Sequence, residues 1–198
     1  GNKMAIEYEA TFSNINKENI RKKLKKLGAK LVKPETFMKR FVFNLPSNER
    51  GKWLRVRDEG DKITMSYKAI EGKGIESQKE IELIIDSFEH AANFLKSIGC
   101  HEKAYQESKR EVWEIDNAHI MIDEWPFLEP FIEIEGNDED SVKLVTKKLG
   151  FDYSKAIFSS VDELYTKKYK VSEDVVVNKT PRIAFGDKNP FTEQEKNL

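Results

Sequence analysis

A repeat of carboxylates along neighbouring strands constrains this chain more than any other feature. The run from His119 to Gly136 reads as two strands joined through Pro126 and Pro130, neither of which can donate to a sheet ladder. On the first strand His119, Met121 and Asp123 share a face. On the second, Phe131, Glu133 and Glu135 share one, with Ile132 and Ile134 opposite. A half-buried strand ordinarily scatters mixed charges over its polar face. Here that face carries carboxylates, and like charges on neighbouring strands repel. A positive group is expected between them.

The pattern recurs. Glu7 and Glu9 share a face near the start of the chain, and Glu80 and Glu82 share one midway. Basic strands answer them: Arg55 and Arg57 alternate on one strand, and Lys68 follows Thr64 and Ser66 on the next. If these faces line one cavity, it holds carboxylates and cations together. That chemistry suits a polyphosphate gripped by Arg and Lys while carboxylates hold its magnesium. The competing reading is an inward salt-bridge network that only holds a barrel together, although buried ion pairs contribute little net stability.

Bulk properties narrow the function classes. The 198 residues suffice for one domain with a real core. Lys+Arg of 34 against Asp+Glu of 35 leaves a formal charge of −1, so no global field attracts nucleic acid. The single cysteine, Cys100, excludes an internal disulfide, fits a reducing cytosol and reads as inert. No apolar run has the length of a membrane span, and no signal-peptide core is visible at the N-terminus. The expectation is a cytoplasmic protein, with Gly1 a tag remnant.

Periodicity predicts eight strands: Met4 to Phe12, Phe37 to Leu45, Lys52 to Asp58, Lys62 to Ala69, Glu76 to Asp86, Tyr105 to Ile115, His119 to Glu124 and Leu128 to Glu135. Helices are expected after Asn16 or Ser13, after Ser87, after Asp138 and from Ser160 to Lys168. Val175 to Val177 reads as strand-like, and Thr192 to Leu198 as frayed. His90 and His101 are expected at exposed helix positions, His119 as a hydrogen-bonded wall residue, and the three tryptophans as packing residues. Antiparallel strands with charged polar faces can converge on a site if they close into a barrel with a polar interior, which also removes sheet edges. The predicted fold class is therefore α+β, an eight-stranded antiparallel β-barrel with helices packed on the outside. Residues 1–170 would form the barrel domain, and 171–198 a C-terminal extension, partly docked or frayed.

In this order, Glu7-Tyr8-Glu9, Arg55-Val56-Arg57, Lys68, Glu80-Ile81-Glu82, Arg110, Asp123 and Glu133-Ile134-Glu135 resemble the CYTH family of triphosphate tunnel proteins. That family includes class IV adenylate cyclases and thiamine triphosphatases, and the block from Ile122 to Gly136 looks most like the cyclase branch. The resemblance implies a tunnel that binds a triphosphate with Mg2+ or Mn2+. Carried over residue by residue, Arg55, Arg57, Lys68 and Arg110 would bind the phosphates, with Arg40 and Lys109 as further phosphate-binding candidates. Glu7, Glu9, Asp123, Glu133 and Glu135 would form the metal-ligand pool. Glu7, Glu9, Lys68 and Glu135 would carry the catalysis, with Glu80 and Glu82 on the supporting wall.

Two departures stand out. Thr11 replaces the lysine that closes the family's opening motif, and Gln78 stands where many relatives have a basic residue. Ser108 is similar, with Lys109 one step off the inward register. Three activities are compatible with the pattern: cyclisation of ATP to cyclic AMP and pyrophosphate, hydrolysis of an organic or inorganic triphosphate, and triphosphate binding without turnover. The expected partner is a nucleoside or other organic triphosphate, or inorganic triphosphate. Nucleic acid and membrane are not expected partners, and the chain would act as monomer or homodimer.

Overall fold

The computed structural model describes residues 5–192, so Gly1, Met4 and the stretch 193–198 lie outside it. Ten strands are formed: β1 (Ala5–Ile6), β2 (Tyr8–Phe12), β3 (Lys30–Asn44), β4 (Lys52–Asp58), β5 (Ile63–Ile70), β6 (Gln78–Ile85), β7 (His101–Ile115), β8 (Ala118–Glu124), β9 (Phe131–Gly136) and β10 (Arg182–Ile183). Their order is β1-β6-β5-β4-β3-β7-β8-β9-β2, with β10 added alongside β7. Both ends of that order belong to one stretch of chain. β1 pairs with β6 and β2 pairs with β9, all antiparallel, so the backbone through Glu7 closes the sheet. The Glu7 N–H at the break donates to the Gln78 carbonyl at 3.0 Å. The barrel thus has nine antiparallel strands, or the expected eight when the interrupted first strand is counted once.

Alternation along each strand sends apolar side chains outward. Ala10, Phe12, Ile120, Ile122, Ile132 and Ile134 form the centre of the larger core, buried to 4% exposure or less. Helices α1 (Lys17–Lys26) and α3 (Glu139–Lys148) cover it, with Ile20, Leu24, Val142 and Val145 facing inward. Asn16 and Asp138 cap these helices through their side chains, accepting from the N–H groups of Asn19 and Ser141. On the far side α2 (Phe88–Ser97), capped by Ser87, lays Ala92 and Leu95 over Phe43 and Val56. Cys100 is buried there as a small apolar group. Each of the large buried aliphatic residues contributes roughly 1.5–3 kcal/mol through burial.

The β4–β5 hairpin turns at Gly60, whose φ of +89° and 2.8 Å clearance to Thr36 leave no room for a side chain. β3 and β7 are each 15 residues long and extend well before the expected starts. The early half of β3 pairs with the late half of β7 through bulges near Lys33, the early half of β7 pairs with the late half of β3, and paired backbone outweighs the polar sequence there. His101 opens β7 and is not helical, while His119 is exposed at the end of β8, 3.8 Å from Glu114.

The chain after the barrel also departs from expectation. Val175–Val177 lies within α5 (Glu173–Asn178), a helix capped by Ser172, and is not a strand. A cap and a buried Val176 override β propensity. α4 (Asp162–Tyr169) clamps the proline-containing connection between β8 and β9: Tyr165 donates to the Pro126 carbonyl at 2.8 Å and Tyr169 to that of Phe127 at 2.5 Å. β10 then runs parallel to β7. Thr192 is an exposed turn residue, and the expectation of fraying beyond it falls outside the described residues. No described helix is long and apolar enough to cross a membrane.

Leu24→Ala, which opens a cavity beneath α1, should lower unfolding free energy by about 2–5 kcal/mol in urea titrations. Leu144→Ala, on the exposed face of α3, should change it by less than about 1 kcal/mol.

Candidate functional site

The faces that turn away from the outer cores meet in a single bore with a cavity of about 1060 Å³. Register sets which side chains are level. Arg40 lies opposite Arg57 and Gln106, and Val42 opposite Arg55 and Ala104. Arg57, Arg55 and Trp53 lie opposite Thr64, Ser66 and Lys68, which continue to Glu82 and Glu80 on β6. On the other wall Glu9 faces Glu135, Thr11 faces Glu133, and Met121 lies beyond Glu133. One wall is therefore cationic and the other acidic.

The acidic wall is held together at a cost. Glu7, Glu9 and Glu135 each offer an oxygen within 4.8 Å of the others. Burial pushes the Glu7 carboxyl up to about 7, against the pull of Lys68 and with the help of Glu80 and Glu135. Burial, then the charges of Glu133 and Glu7, hold Glu9 well above the usual carboxylate range. Glu133 is raised by burial and by Asp123, with Arg110 opposing. Glu80 goes the other way: burial would raise it, but a hydrogen bond shared with Glu7 and the charges of Lys68 and Arg55 outweigh that.

The cationic wall is equally crowded. Burial and the Arg55 and Arg110 charges bring Arg57 down to about 10. Arg40 is lowered by burial and by Arg57. Arg40 donates to Ser108 Oγ at 2.5 Å and stacks on Trp125 with its guanidinium 4.4 Å from the ring centre. Its Nη1, together with Nε of Arg55 and Arg57 and Oε2 of Glu7, is buried without a hydrogen-bond partner. Four such atoms on residues that line one cavity are the mark of a site built for a charged ligand. The ion pairs of three of these cations are long: Arg55 to Glu80 at 3.3 Å, Arg57 to Glu59 at 3.4 Å, and Lys68 to Glu7 at 3.3 Å without hydrogen-bond geometry.

Of the residues expected at the site, Glu7, Glu9, Arg40, Arg55, Arg57 and Lys68 line the bore. So do Glu80, Glu82, Arg110, Glu133 and Glu135. Lys109 does not. It points outward, its ammonium 5.0 Å from the Phe185 ring centre, because its odd register on β7 faces away from the bore. Asp123 is 1% exposed behind Arg110, whose Nε and Nη2 donate to its two oxygens at 2.7 and 2.9 Å. Arg110 also donates to Glu133 at 2.9 Å. Asp123 therefore orients Arg110 and stands outside the three-carboxylate cluster. Gln78 donates to the Phe158 carbonyl at 2.7 Å, and Thr11 is buried opposite Glu133.

Sequence reasoning missed Glu59, Lys103 and Asp162, all of which line the cavity. Glu59 falls between the expected strands Lys52 to Asp58 and Lys62 to Ala69, yet its carboxylate is buried between Arg57 and the Thr64 hydroxyl, 2.9 Å away. It continues the inward alternation of Arg55 and Arg57, which is the signal that could have found it. Lys103 and Asp162 carry no such pattern.

Geometry defines the class first: a closed antiparallel barrel whose bore sets guanidinium and ammonium groups against carboxylates. Residues 5–164 match the CYTH domain, and the chain belongs to the CYTH domain family. The PH1012 protein of Pyrococcus horikoshii OT3 shares the fold with a TM-score of 0.68 at 24% identity, over 80% of this chain and 99% of that one. A Vibrio parahaemolyticus protein described as a candidate adenylate cyclase gives 0.70 at 14% identity, over 83% and 99%. A Hippeastrum protein, described as a candidate adenylyl cyclase with a dominant triphosphatase activity, gives 0.57 at 14% identity, over 84% and 97%. At these identities the likeness is one of fold. No curated protein sequence matches the chain.

The Glu7 carboxyl, raised from 4.5 to about 7, makes the folded protein bind more protons than the unfolded chain between those values. Stability of the cation-free protein is therefore lost as pH rises through that window. Thermal unfolding in a chelator should show Tm falling by several degrees, about 4–8 °C per kcal/mol lost in a small domain and less in a larger one. Glu7→Gln should flatten that fall.

Proposed function

We propose that this protein is a divalent-metal-dependent enzyme acting on a nucleoside triphosphate, of the class IV adenylate cyclase type, converting ATP to cyclic AMP and pyrophosphate. The observation that carries the reading is the set of unpartnered buried atoms on Arg40, Arg55, Arg57 and Glu7, residues that line one bore. The donor set fits a hard divalent ion: Glu7, Glu9 and Glu135 converge closely enough to share Mg2+ or Mn2+. When bound, such an ion neutralises phosphate charge and lowers the pKa of a nearby hydroxyl. The family resemblance and the neighbours described as candidate cyclases support the same assignment.

The chain's own residues supply the rest. Arg40, Arg55, Arg57 and Lys68 hold the β- and γ-phosphates, the last three exchanging long internal ion pairs for shorter charge-assisted bonds. Arg110, fixed by Asp123 and Glu133, presents its charge to the acidic side of the bore. In cyclisation the ribose 3′-oxygen bonds to the α-phosphorus, the bond from that phosphorus to the bridging oxygen breaks, and pyrophosphate leaves. The hydroxyl proton passes to a carboxylate of the acidic wall that the ion leaves free, or through water to solvent. Holding the leaving phosphates rigid keeps attack and departure in line.

A second reading is hydrolysis of the terminal phosphate, in which water takes the place of the ribose hydroxyl in the same bore. The dominant triphosphatase activity described for the Hippeastrum neighbour agrees with it. Products separate the two: pyrophosphate and a cyclic nucleotide from the first, orthophosphate from the second. Binding with neither product would leave a triphosphate-binding module.

Arg57→Ala should weaken binding of inorganic triphosphate by at least about tenfold, the loss of one charge-assisted contact. Glu135→Ala should remove the rise in Tm that Mn2+ gives the wild type. Unchanged calorimetric affinity in the first variant and unchanged metal response in the second would together reject the site.

A further inference from the structure

Along β4 the cavity-lining positions run Trp53, Arg55 and Arg57, and the next in the alternation, just past the end of the strand, is Glu59. The cations on this wall therefore form a track. It begins with Lys68, level with Trp53, passes Arg55 and the facing pair of Arg57 and Arg40, and ends where a carboxylate interrupts it. Glu59 is the one acid that the β4–β5 hairpin contributes to the cavity lining, and it stands outside the cluster of Glu7, Glu9 and Glu135.

That carboxylate is fixed in place. Its Oε2 accepts from the Thr64 hydroxyl at 2.9 Å and lies 3.4 Å from Arg57 Nη2. Its backbone is pinned as well: the Lys33 ammonium donates to the Glu59 carbonyl at 2.6 Å, and the Glu59 N–H donates to the Lys62 carbonyl at 2.9 Å. Glu59 is only 9% exposed. Burial works against its charge, but Arg57 and the Thr64 hydroxyl outweigh that and hold the carboxyl below its usual range. The end of the cationic track is thus marked by a rigid, ionised acid.

We propose that Glu59 sets the length of polyphosphate chain the bore accepts, repelling a fourth phosphate that would follow the three held along Lys68, Arg55, Arg57 and Arg40. The proposal rests on the triphosphate reading of the bore and adds the residue that limits chain length. Each added phosphate brings more charge for a cationic wall to grip, so rejecting longer chains takes a repulsive element. Lys62, the cation beside Glu59 on the cavity wall, works the other way. Lys62 is exposed at the turn, however, and solvent screens it, whereas the charge of a buried carboxylate acts through a lower dielectric. The repulsion also grows with occupancy. As Arg57 turns to phosphate, Glu59 loses the cation that partly neutralises it.

Calorimetric binding of inorganic triphosphate and linear inorganic tetraphosphate, at one free magnesium concentration, tests it. The wild type should bind tetraphosphate no more tightly than triphosphate. Glu59→Gln keeps the volume and an acceptor for Thr64 and removes only the charge. It should shift the ratio of the two affinities by about tenfold in favour of tetraphosphate. Glu59→Asp, which restores the charge, should return the ratio toward the wild type. Where Glu59→Gln does not fold, Thr64→Val carries the test, since it unfastens the carboxylate and should shift the ratio the same way by a smaller factor. A residue that only supported the hairpin would change both affinities together. An unchanged ratio in the variant that folds, a Glu59→Asp ratio equal to that of Glu59→Gln, or a wild type that prefers tetraphosphate would each overturn the proposal while the bore reading stands. A wild type that binds neither anion would defeat the bore reading, and this inference with it.

Discussion

The direct opposition of like charges on adjacent strands governs this molecule. Arg40 is paired in register with Arg57, and Glu9 with Glu135. Either pair alone would weaken a sheet. Closure makes them tolerable, because the curved sheet turns the two walls toward each other and lets Lys68, Arg55 and Arg110 reach carboxylates on or beside the acidic wall. Compensation is incomplete. The raised carboxyls of Glu7, Glu9 and Glu133 and the lowered guanidinium of Arg57 are the residue of repulsion and burial that the internal pairs do not cancel.

What the bore lacks in stability the outer surface supplies. The same alternation that turns Glu133 and Glu135 inward turns Ile132 and Ile134 outward, where α1 and α3 cover them. A slip of one residue in β9 would bury carboxylates under the helices and line the bore with isoleucine, so packing and function enforce one register together. Polar groups do stray to the outside where they are satisfied. Glu111, buried under α1, accepts from Arg21 Nε at 3.0 Å and from Trp113 Nε1 at 2.9 Å.

Alternation with period two made the barrel and most of its lining legible in the sequence, since an inward face written in Glu and Arg has few other uses. What it concealed had identifiable physical causes. The interruption at Glu7 depends on one segment pairing with two different strands, which no local pattern encodes. The early half of β3 is polar and carries Pro34, so propensity argued against a strand that tertiary pairing imposes. Lys109 was assigned by resemblance against its register, and register prevailed. Three consecutive valines read as a strand until the Ser172 cap is weighed. Asp162 and Lys103 reach the cavity wall only through tertiary folding.

The lengths of the ion pairs divide the cations of the bore into two kinds. Arg110 is held at 2.7–2.9 Å by Asp123 and Glu133, bonds as short as any incoming phosphate could offer. It gains little by letting go, so it acts as a fixed charge. Arg55, Arg57 and Lys68 are held at 3.3–3.4 Å, with atoms left unpartnered, and improve their bonding when an anion arrives. Releasing them takes positive charge away from Glu7 and Glu80 at the same moment, which leaves the acidic wall less compensated just where a cation would sit. Anion and metal should therefore each make the other's site more favourable, a reciprocity required by linkage. Binding of either also relieves repulsion that the empty bore must contain, so occupancy and folding stability are coupled through the same few side chains.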